Sequence, residues 1–416
     1  MSKRSANTSS PAIRKFDAPG LGSLWRTEER QALLLSVREL SYGDVRAAAE
    51  TLDRQEAEIP DELIVKLAEL GLFGIMIPKE YGGLGLGVFD YCMVSEELAR
   101  SWMSVGSIIA RGQGLGTQVS DPKTHDELMR LSATGDWIGA IALSEPQVGS
   151  DLAGVETEAV REGENWVLTG AKKWCGNALS ADFIQVLARA KGHSDDELVA
   201  LLVRKERGSF PKGVTGTPID KIGYHGIISW NLSFDHVVIS ADDELTSFYA
   251  PADNEEPGTS GGAFHAVQHG LNIARVQTAA RAVGLARAAV EDSTIYLQTR
   301  QQFGHPIGDF QALRFELATM AAEVEQARAF YRQVAHDLDA GESVERETGM
   351  AKLLASEMAV RVTNQAMQLH GGNGYSRDYS VERYWRDARL TTIFEGTSEI
   401  QRRTISNRIL PRSPLE

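Results

Sequence analysis

The chain has 416 residues, enough for two or three domains at about 150 residues each. Its 43 Lys+Arg against 57 Asp+Glu leave a net charge of −14, which disfavours nucleic acid as a partner. No apolar stretch approaches the ~18 residues that span a bilayer, so a soluble chain without membrane insertion is expected. Cys92 and Cys175 cannot by themselves build a disulfide framework or a zinc site; read as buried thiols, they suit a reducing compartment.

In chain order, the first sixteen residues hold Lys3, Arg4, Arg14 and Lys15 without an acid, and Ser9-Ser10-Pro11 interrupts any amphipathic helix. Residues 1–27 therefore read as a flexible tail rather than a secretory or mitochondrial leader, and the expected compartment is the cytoplasm, with the mitochondrial matrix as runner-up. From about Glu28 to Leu72 the apolar spacing (Leu33, Val37, Leu40; then Leu63, Val65, Leu67, Leu70) predicts helix, with Asp61 as a candidate N-cap after Pro60. Glycines at 82, 83 and 85 mark a close-packed turn, and helical character returns at Glu96, Glu97, Leu98 and Ala99, making 28–135 an N-terminal helical domain. Short apolar runs at Trp166 to Thr169, Phe183 to Leu187 and Leu198 to Val203 predict a central β domain over 136–262, closed by a Pro/Gly/acid-rich linker at 251–262. Long helices are predicted at 263–300, 310–340, 345–370 and 396–409 within a C-terminal domain, 263–416; its first helix is rich in alanine. The fold class expected is α+β and multidomain: helices, strands, helices.

No G-x-G-x-x-G, Walker A loop or H-E-x-x-H occurs. His265 and His269 share a helical face but lack a third metal ligand nearby, and Gly258-Thr-Ser-Gly-Gly262 matches a nucleophile elbow without the preceding strand, so neither is read as a site. Four segments say more together than singly: Leu143-Ser-Glu-Pro-Gln-Val-Gly-Ser-Asp151, Lys172-Lys-Trp-Cys-Gly-Asn-Ala178, Arg300-Gln-Gln-Phe-Gly304, and Gln368-Leu-His-Gly-Gly-Asn-Gly-Tyr375 with Phe394-Glu-Gly-Thr-Ser-Glu-Ile-Gln401. Alone, each has a plain reading: a β-turn, a core tryptophan, a helix C-cap at Gly304, or a helix-dipole acid at Glu395.

In this order and spacing, with Pro78-Lys-Glu-Tyr-Gly-Gly83 and Asp387-Ala-Arg389, the segments resemble the acyl-CoA dehydrogenase family of flavoenzymes over residues 30 to 410. The resemblance implies an N-terminal helical domain, a β-barrel-like middle domain and a C-terminal four-helix bundle. It also implies FAD as cofactor, an acyl-CoA substrate, an electron-transfer flavoprotein as acceptor, and a homotetramer. The implied reaction removes an α-proton and a β-hydride to leave a trans-2-enoyl-CoA. By the same resemblance Glu395 is the base and Arg275 lies near it; Leu143, Ser144, Trp174 and Gly176 line the flavin, with Thr397 beside the base. Arg300, Gln302 and Phe303, with Gln368, Gly371 and Gly372, reach the FAD of a neighbouring subunit. Ser150, Asn272, Phe394 and Gly396 fall on the substrate side, and the Glu395 N–H is one donor to the thioester oxygen. Ala274 occupies the position from which some branches supply the base, and alanine cannot serve.

Two features depart from the pattern. Gly176 stands where the family carries a Thr or Ser hydroxyl, which keeps an oxygen-using oxidase or monooxygenase open as an alternative. The turn reads Ser144-Glu-Pro-Gln-Val-Gly149 where Thr and a small residue before Gly are commoner. A catalytically silent helical scaffold is the further alternative, and segments around Ala274 and Gly349 are somewhat like branches acting on short branched or dicarboxylic acyl-CoAs.

Overall fold

A computed structural model of the chain describes residues 27–191, 198–247 and 262–410, without the side chains of 262–269. The N-terminal tail, the linker up to residue 261 with its elbow-like motif, and the imidazoles of His265 and His269 lie outside the described residues. In chain order the helices are α1 (Glu28–Leu40), α2 (Arg46–Leu52), α3 (Asp61–Glu69), α4 (Val88–Ser101), α5 (Met103–Ile108), α6 (Pro122–Thr134), α7 (Gly262–Thr299), α8 (Gln311–Asp339), α9 (Glu345–His370), α10 (Val381–Thr391) and α11 (Ser398–Ile409). The strands are β1 (Gly139–Ala142), β2 (Glu158–Glu162), β3 (Asn165–Gly176), β4 (Phe183–Lys191), β5 (Leu198–Arg204), β6 (Val214–Pro218), β7 (Ser229–Ser240), and a small hairpin of β8 (Gln301–Gln302) and β9 (His305–Pro306).

The long helical run expected over 28–72 is broken. A π-turn at Ser41–Val45 separates α1 from α2, and Pro60, in extended conformation, is the N-cap of α3, so Asp61 is its first residue and not its cap. Helix α6, which apolar spacing did not reveal, has clear end signals. Asp121 accepts from Thr124 N at 2.9 Å, Pro122 opens the first turn, and Gly135 at φ 81° closes the last.

The described residues form two compact units, one within 57–91 and 107–274, the other within 27–56, 92–106 and 275–410. The first unit is built on a curled seven-stranded sheet in the order β1-β4-β2-β3-β7-β6, with β5 also on β4. β4 runs parallel to β1 and β2, and the other pairs are antiparallel. Along β7, Trp230, Leu232 and Phe234 alternate inward with period two and meet Trp166 and Leu168 of β3 in one core. β4 is buried on both faces, which explains its mostly apolar run: Ile184 and Val186 enter that core, while Phe183 stacks on Trp137 at 4.5 Å on the other side.

In the second unit α9 packs on α8, α10 and α11 through a stripe of Ala351, Ala355, Ala359, Val362 and Ala366. α7 approaches α4 closely enough that a Cβ on Gly284 would lie 2.5 Å from the Glu96 carbonyl. A buried ionic network fills that crossing. Arg287 pairs with Glu96 at 3.0 Å, Glu97 at 2.7 Å and Glu291 at 2.9 Å, Arg328 pairs with Glu96 at 2.9 Å, and Arg100 pairs with Glu291. Burial alone would raise the Glu96 carboxyl, but Arg328, Arg332 and Arg287 overcome it and hold it at about 2. Among the described residues no helix is long and apolar enough to cross a membrane, and no group of three or more His, Cys, Asp or Glu is placed to hold a metal ion. Cys92 and Cys175 are free and buried.

Candidate active site

In the sheet unit, the turn after β1 is tied to β3 by buried groups. Lys172 Nζ donates to the Leu143 carbonyl at 3.0 Å and to Glu145 Oε1 at 2.8 Å, and Glu145 also accepts from the backbone N–H groups of Glu156 and Thr157. Burial lowers the Lys172 ammonium and Glu145 raises it. Lys173 N donates to Ser144 O at 2.7 Å. Leu143 and Ser144 are thereby tied to Lys172 and Lys173, which directly precede Trp174 in β3.

Trp174 sits where the β3–β7 register shifts, between Lys172 and Cys175, and takes a left-handed φ of 65°. A bulge of this kind re-aims its side chain out of the sheet. The indole is 55% exposed, so the core-tryptophan reading fails. Gly176 ends the strand, buried, opposite Ser229. Ser150 is exposed beyond the turn, and Asn272 is half-buried on α7.

In the helical unit, Glu395 occupies the loop between α10 and α11 at φ 53°, followed by Gly396 at φ 85°. A non-glycine residue in this region carries strain of about 1–3 kcal/mol and persists only where its surroundings over-determine it. Those surroundings are two side chains that sequence reasoning did not single out. Lys352 Nζ, fully buried, donates to Gly396 O at 2.7 Å, and Gln401 Nε2 donates to Glu395 O at 3.1 Å and Gly396 O at 3.0 Å. At Gly396 the φ of 85° favours glycine, and a Cβ there would stand 2.6 Å from Gln401 Nε2 and push that amide off its carbonyls.

Thr397 is the N-cap of α11, its hydroxyl accepting from Ile400 N at 3.3 Å, and Glu395 lies two residues before it. Phe394 lies 4.8 Å from the Arg281 guanidinium. Arg275 is 8% exposed and so is not a solvated helix-face charge; burial lowers it, and Glu345 and Glu395 raise it. Burial likewise lowers Lys352, to about 8, and Glu395 raises it. The Glu395 carboxylate thus acts on two buried cations.

Arg300 follows the last residue of α7, and Phe303-Gly304, at φ 54° and 86°, form the two-residue turn of the β8–β9 hairpin. Gly304 is therefore a hairpin glycine and not a helix cap. Arg300, Gln302, Gln368, Gly371 and Gly372 are exposed, and Phe303 is 90% exposed. Tyr296 stacks on His370 at 4.2 Å, which joins the end of α7 to the Gln368–Gly372 segment. Two aromatic rings held outward on left-handed backbone, Trp174 and Phe303, suit contact with a flat ring system such as a flavin.

Comparison with known proteins gives three adjoining matches. The N-terminal domain of acyl-CoA dehydrogenases matches residues 27–121, the middle domain 140–237 and the C-terminal domain 261–410. The chain belongs to the acyl-CoA dehydrogenase family. Its cofactor is FAD, and it is an oxidoreductase of that family. An acyl-CoA dehydrogenase of Bacillus subtilis is 34% identical over 92% of this chain and 98% of its own length. A 3-(aryl)acrylate reductase of Clostridium sporogenes is 33% identical over 92% and 99%. The solved butyryl-CoA dehydrogenase of Megasphaera elsdenii superposes with a TM-score of 0.84 at 29% identity, covering 93% of this chain and all of that one.

Proposed function

We propose that this acyl-CoA dehydrogenase family member carries out α,β-dehydrogenation of an acyl-CoA thioester to the trans-2-enoyl-CoA, with Glu395 as the base that takes the α-proton. The observation that carries the proposal is the clamp on Glu395, whose strained backbone is fixed on its C-terminal side by donors from Lys352 and Gln401. A base must stand within hydrogen-bond reach of its proton, and a fixed backbone limits where the carboxylate can go. The Glu395 N–H serves as a donor to the thioester oxygen as negative charge develops there. Arg275 and Lys352 steady the carboxylate electrostatically. FAD, when bound, accepts the β-hydride.

Leu143, Ser144, Trp174 and Gly176 line the isoalloxazine in this proposal, with Thr397 beside the base; Ser150, Asn272, Phe394 and Gly396 meet the substrate. Arg300, Gln302, Phe303, Gln368, Gly371 and Gly372 reach the FAD of a neighbouring subunit in a homotetramer. Their exposure, and that of Tyr375 at 89%, supports a surface that another chain covers. An electron-transfer flavoprotein is the proposed acceptor, and the cytoplasm the proposed compartment. An oxygen-using reaction is a second reading, favoured by the missing side chain at Gly176.

Glu395→Gln tests the assignment. The variant should keep its FAD and lose α-proton abstraction, slowing flavin reduction by about 10²–10⁴-fold. Substantial turnover would place the base elsewhere.

A further inference from the structure

Within the sheet unit one arginine has no counter-charge and is held in place by an over-determined segment. Ile109–Arg111 form a single 3₁₀ turn, followed by Gly112. A Cβ on Gly112 would stand 2.5 Å from Phe73 O, so only glycine allows this approach. Gln113 takes a left-handed φ of 52°, and its groups are fully engaged. Its N–H donates to Phe73 O at 2.6 Å, its side-chain amide donates to Leu72 O at 2.7 Å and Ile109 O at 3.1 Å, and its side-chain carbonyl accepts from Met76 N at 3.0 Å. Strain answered by this many bonds marks a segment built to hold something in place.

What it holds is Arg111, half-buried at the edge of the core. Its Nη2 lies 3.2 Å from where a Cβ on Gly176 would be, with Ile227 Cγ2 at 3.3 Å from the same point. Its Nε is buried without a hydrogen-bond partner, and no described side chain forms an ion pair with it. The neighbouring Cys175 does not neutralise it: burial pushes that thiol up to about 12, with Arg111 the largest opposing influence, so it stays protonated. A buried Nε without an acceptor is unfavourable unless a ligand supplies one. The planar fork of the guanidinium matches a delocalised anion that accepts two parallel bonds.

We propose that Arg111 is an anion receptor whose guanidinium, standing against the bare backbone of Gly176, binds a carboxylate-like group. The inference rests on the acyl-CoA dehydrogenase reading, which puts flavin and substrate at Gly176. Two sources offer this chemistry there: a carboxylate at the far end of the acyl group, and the negatively charged edge of the reduced flavin.

The test uses the FAD-loaded protein and its Arg111→Met, Arg111→Lys and Gly176→Ala variants, the last crowding the guanidinium without removing it. Two readouts separate the sources. The first is the dissociation constant of glutaryl-CoA against its uncharged isostere 5-methylhexanoyl-CoA, followed by perturbation of the oxidised flavin spectrum. The second is the reduction potential of the bound flavin with no thioester present. A preference for glutaryl-CoA that falls by about tenfold or more in Arg111→Met, partly retained in Arg111→Lys, assigns the acyl carboxylate. A more negative potential in Arg111→Met, moved in the same direction by Gly176→Ala, assigns the flavin edge. Should Arg111→Met fail to fold, Gly176→Ala reports both quantities with the arginine in place. Unchanged preference and unchanged potential in flavin-loaded variants would overturn the proposal and leave Arg111 as packing. Bleaching of the wild-type flavin by some thioester, with inert Arg111 variants, sinks this inference alone; flavin that no thioester bleaches sinks the dehydrogenase reading beneath it.

Discussion

Lys352 Nζ donates to the carbonyl of Gly396 at 2.7 Å, and this one bond links the interior of α9 to the peptide that follows Glu395. Removing it in Lys352→Met leaves that carbonyl with Gln401 alone and removes a cation that interacts with Glu395. We expect the FAD content to be retained and the rate of flavin reduction at pH 7 to fall about tenfold or more. Burial sets the Lys352 ammonium at about 8, below the free-lysine range, so the folded chain gives up this proton before the unfolded chain does. Its contribution to stability therefore rises with pH from about 8 towards about 10. The wild-type rate should show a limb near pH 8 that the variant lacks; a limb common to both would assign it to another group.

Gly396→Ala places a methyl group 2.6 Å from Gln401 Nε2 at a residue with φ 85°. Strain of about 1–3 kcal/mol is expected, relieved by displacement of the loop that carries Glu395. Stopped-flow reduction should slow markedly while the melting temperature drops only a few degrees; an unaltered reduction rate would show that the loop tolerates the displacement.

Trp174→Ala and Phe303→Ala remove rings that are 55% and 90% exposed, so each should change unfolding free energy by no more than about 0.5 kcal/mol. If these rings face the cofactor, the purified variants will nevertheless carry less FAD per chain, read from the ratio of visible to ultraviolet absorbance. Full flavin occupancy in both would remove them from the site.

Strands β3, β4 and β5 were legible because their apolar runs are short and bounded by turn residues, and helices α7, α8 and α9 because alanine and apolar positions recur over many turns, whereas β7, whose inward residues alternate with polar ones, and α10 were not read. Trp174, Gly176 and Glu395 were singled out through their motifs. Lys352 and Gln401 were not: a side chain that donates to a backbone carbonyl leaves no pattern in sequence, and Lys352 lies 44 residues from its acceptor. Glu96 and Glu97 read only as helix-forming residues, since nothing local connects them to Arg287, some 190 positions away. Helix α6 was missed by apolar spacing although Asp121, Pro122 and Gly135 mark its ends.

Arg287→Met removes the cation shared by Glu96, Glu97 and Glu291 in the α4–α7 crossing, leaving each with its remaining arginines, and should destabilise the protein by about 3–5 kcal/mol in denaturant titrations. The pH dependence follows from Glu96. Its folded value of about 2 lies below that of a free glutamate, so its contribution is fully present above about pH 4.3 and is lost as pH falls towards 2. Glu96→Gln should flatten the acid limb of stability over that range, and an unchanged limb would attribute it to other carboxylates.

The central claim is that this family member dehydrogenates an acyl-CoA thioester. An anaerobic titration of the purified flavoprotein with saturated straight, branched and dicarboxylic acyl-CoA thioesters, following the oxidised flavin band, tests it most directly. At least one thioester should bleach the wild-type band, and the same thioester should leave Glu395→Gln unbleached on that timescale. A flavin band that no thioester bleaches, or equal bleaching in Glu395→Gln, would contradict it.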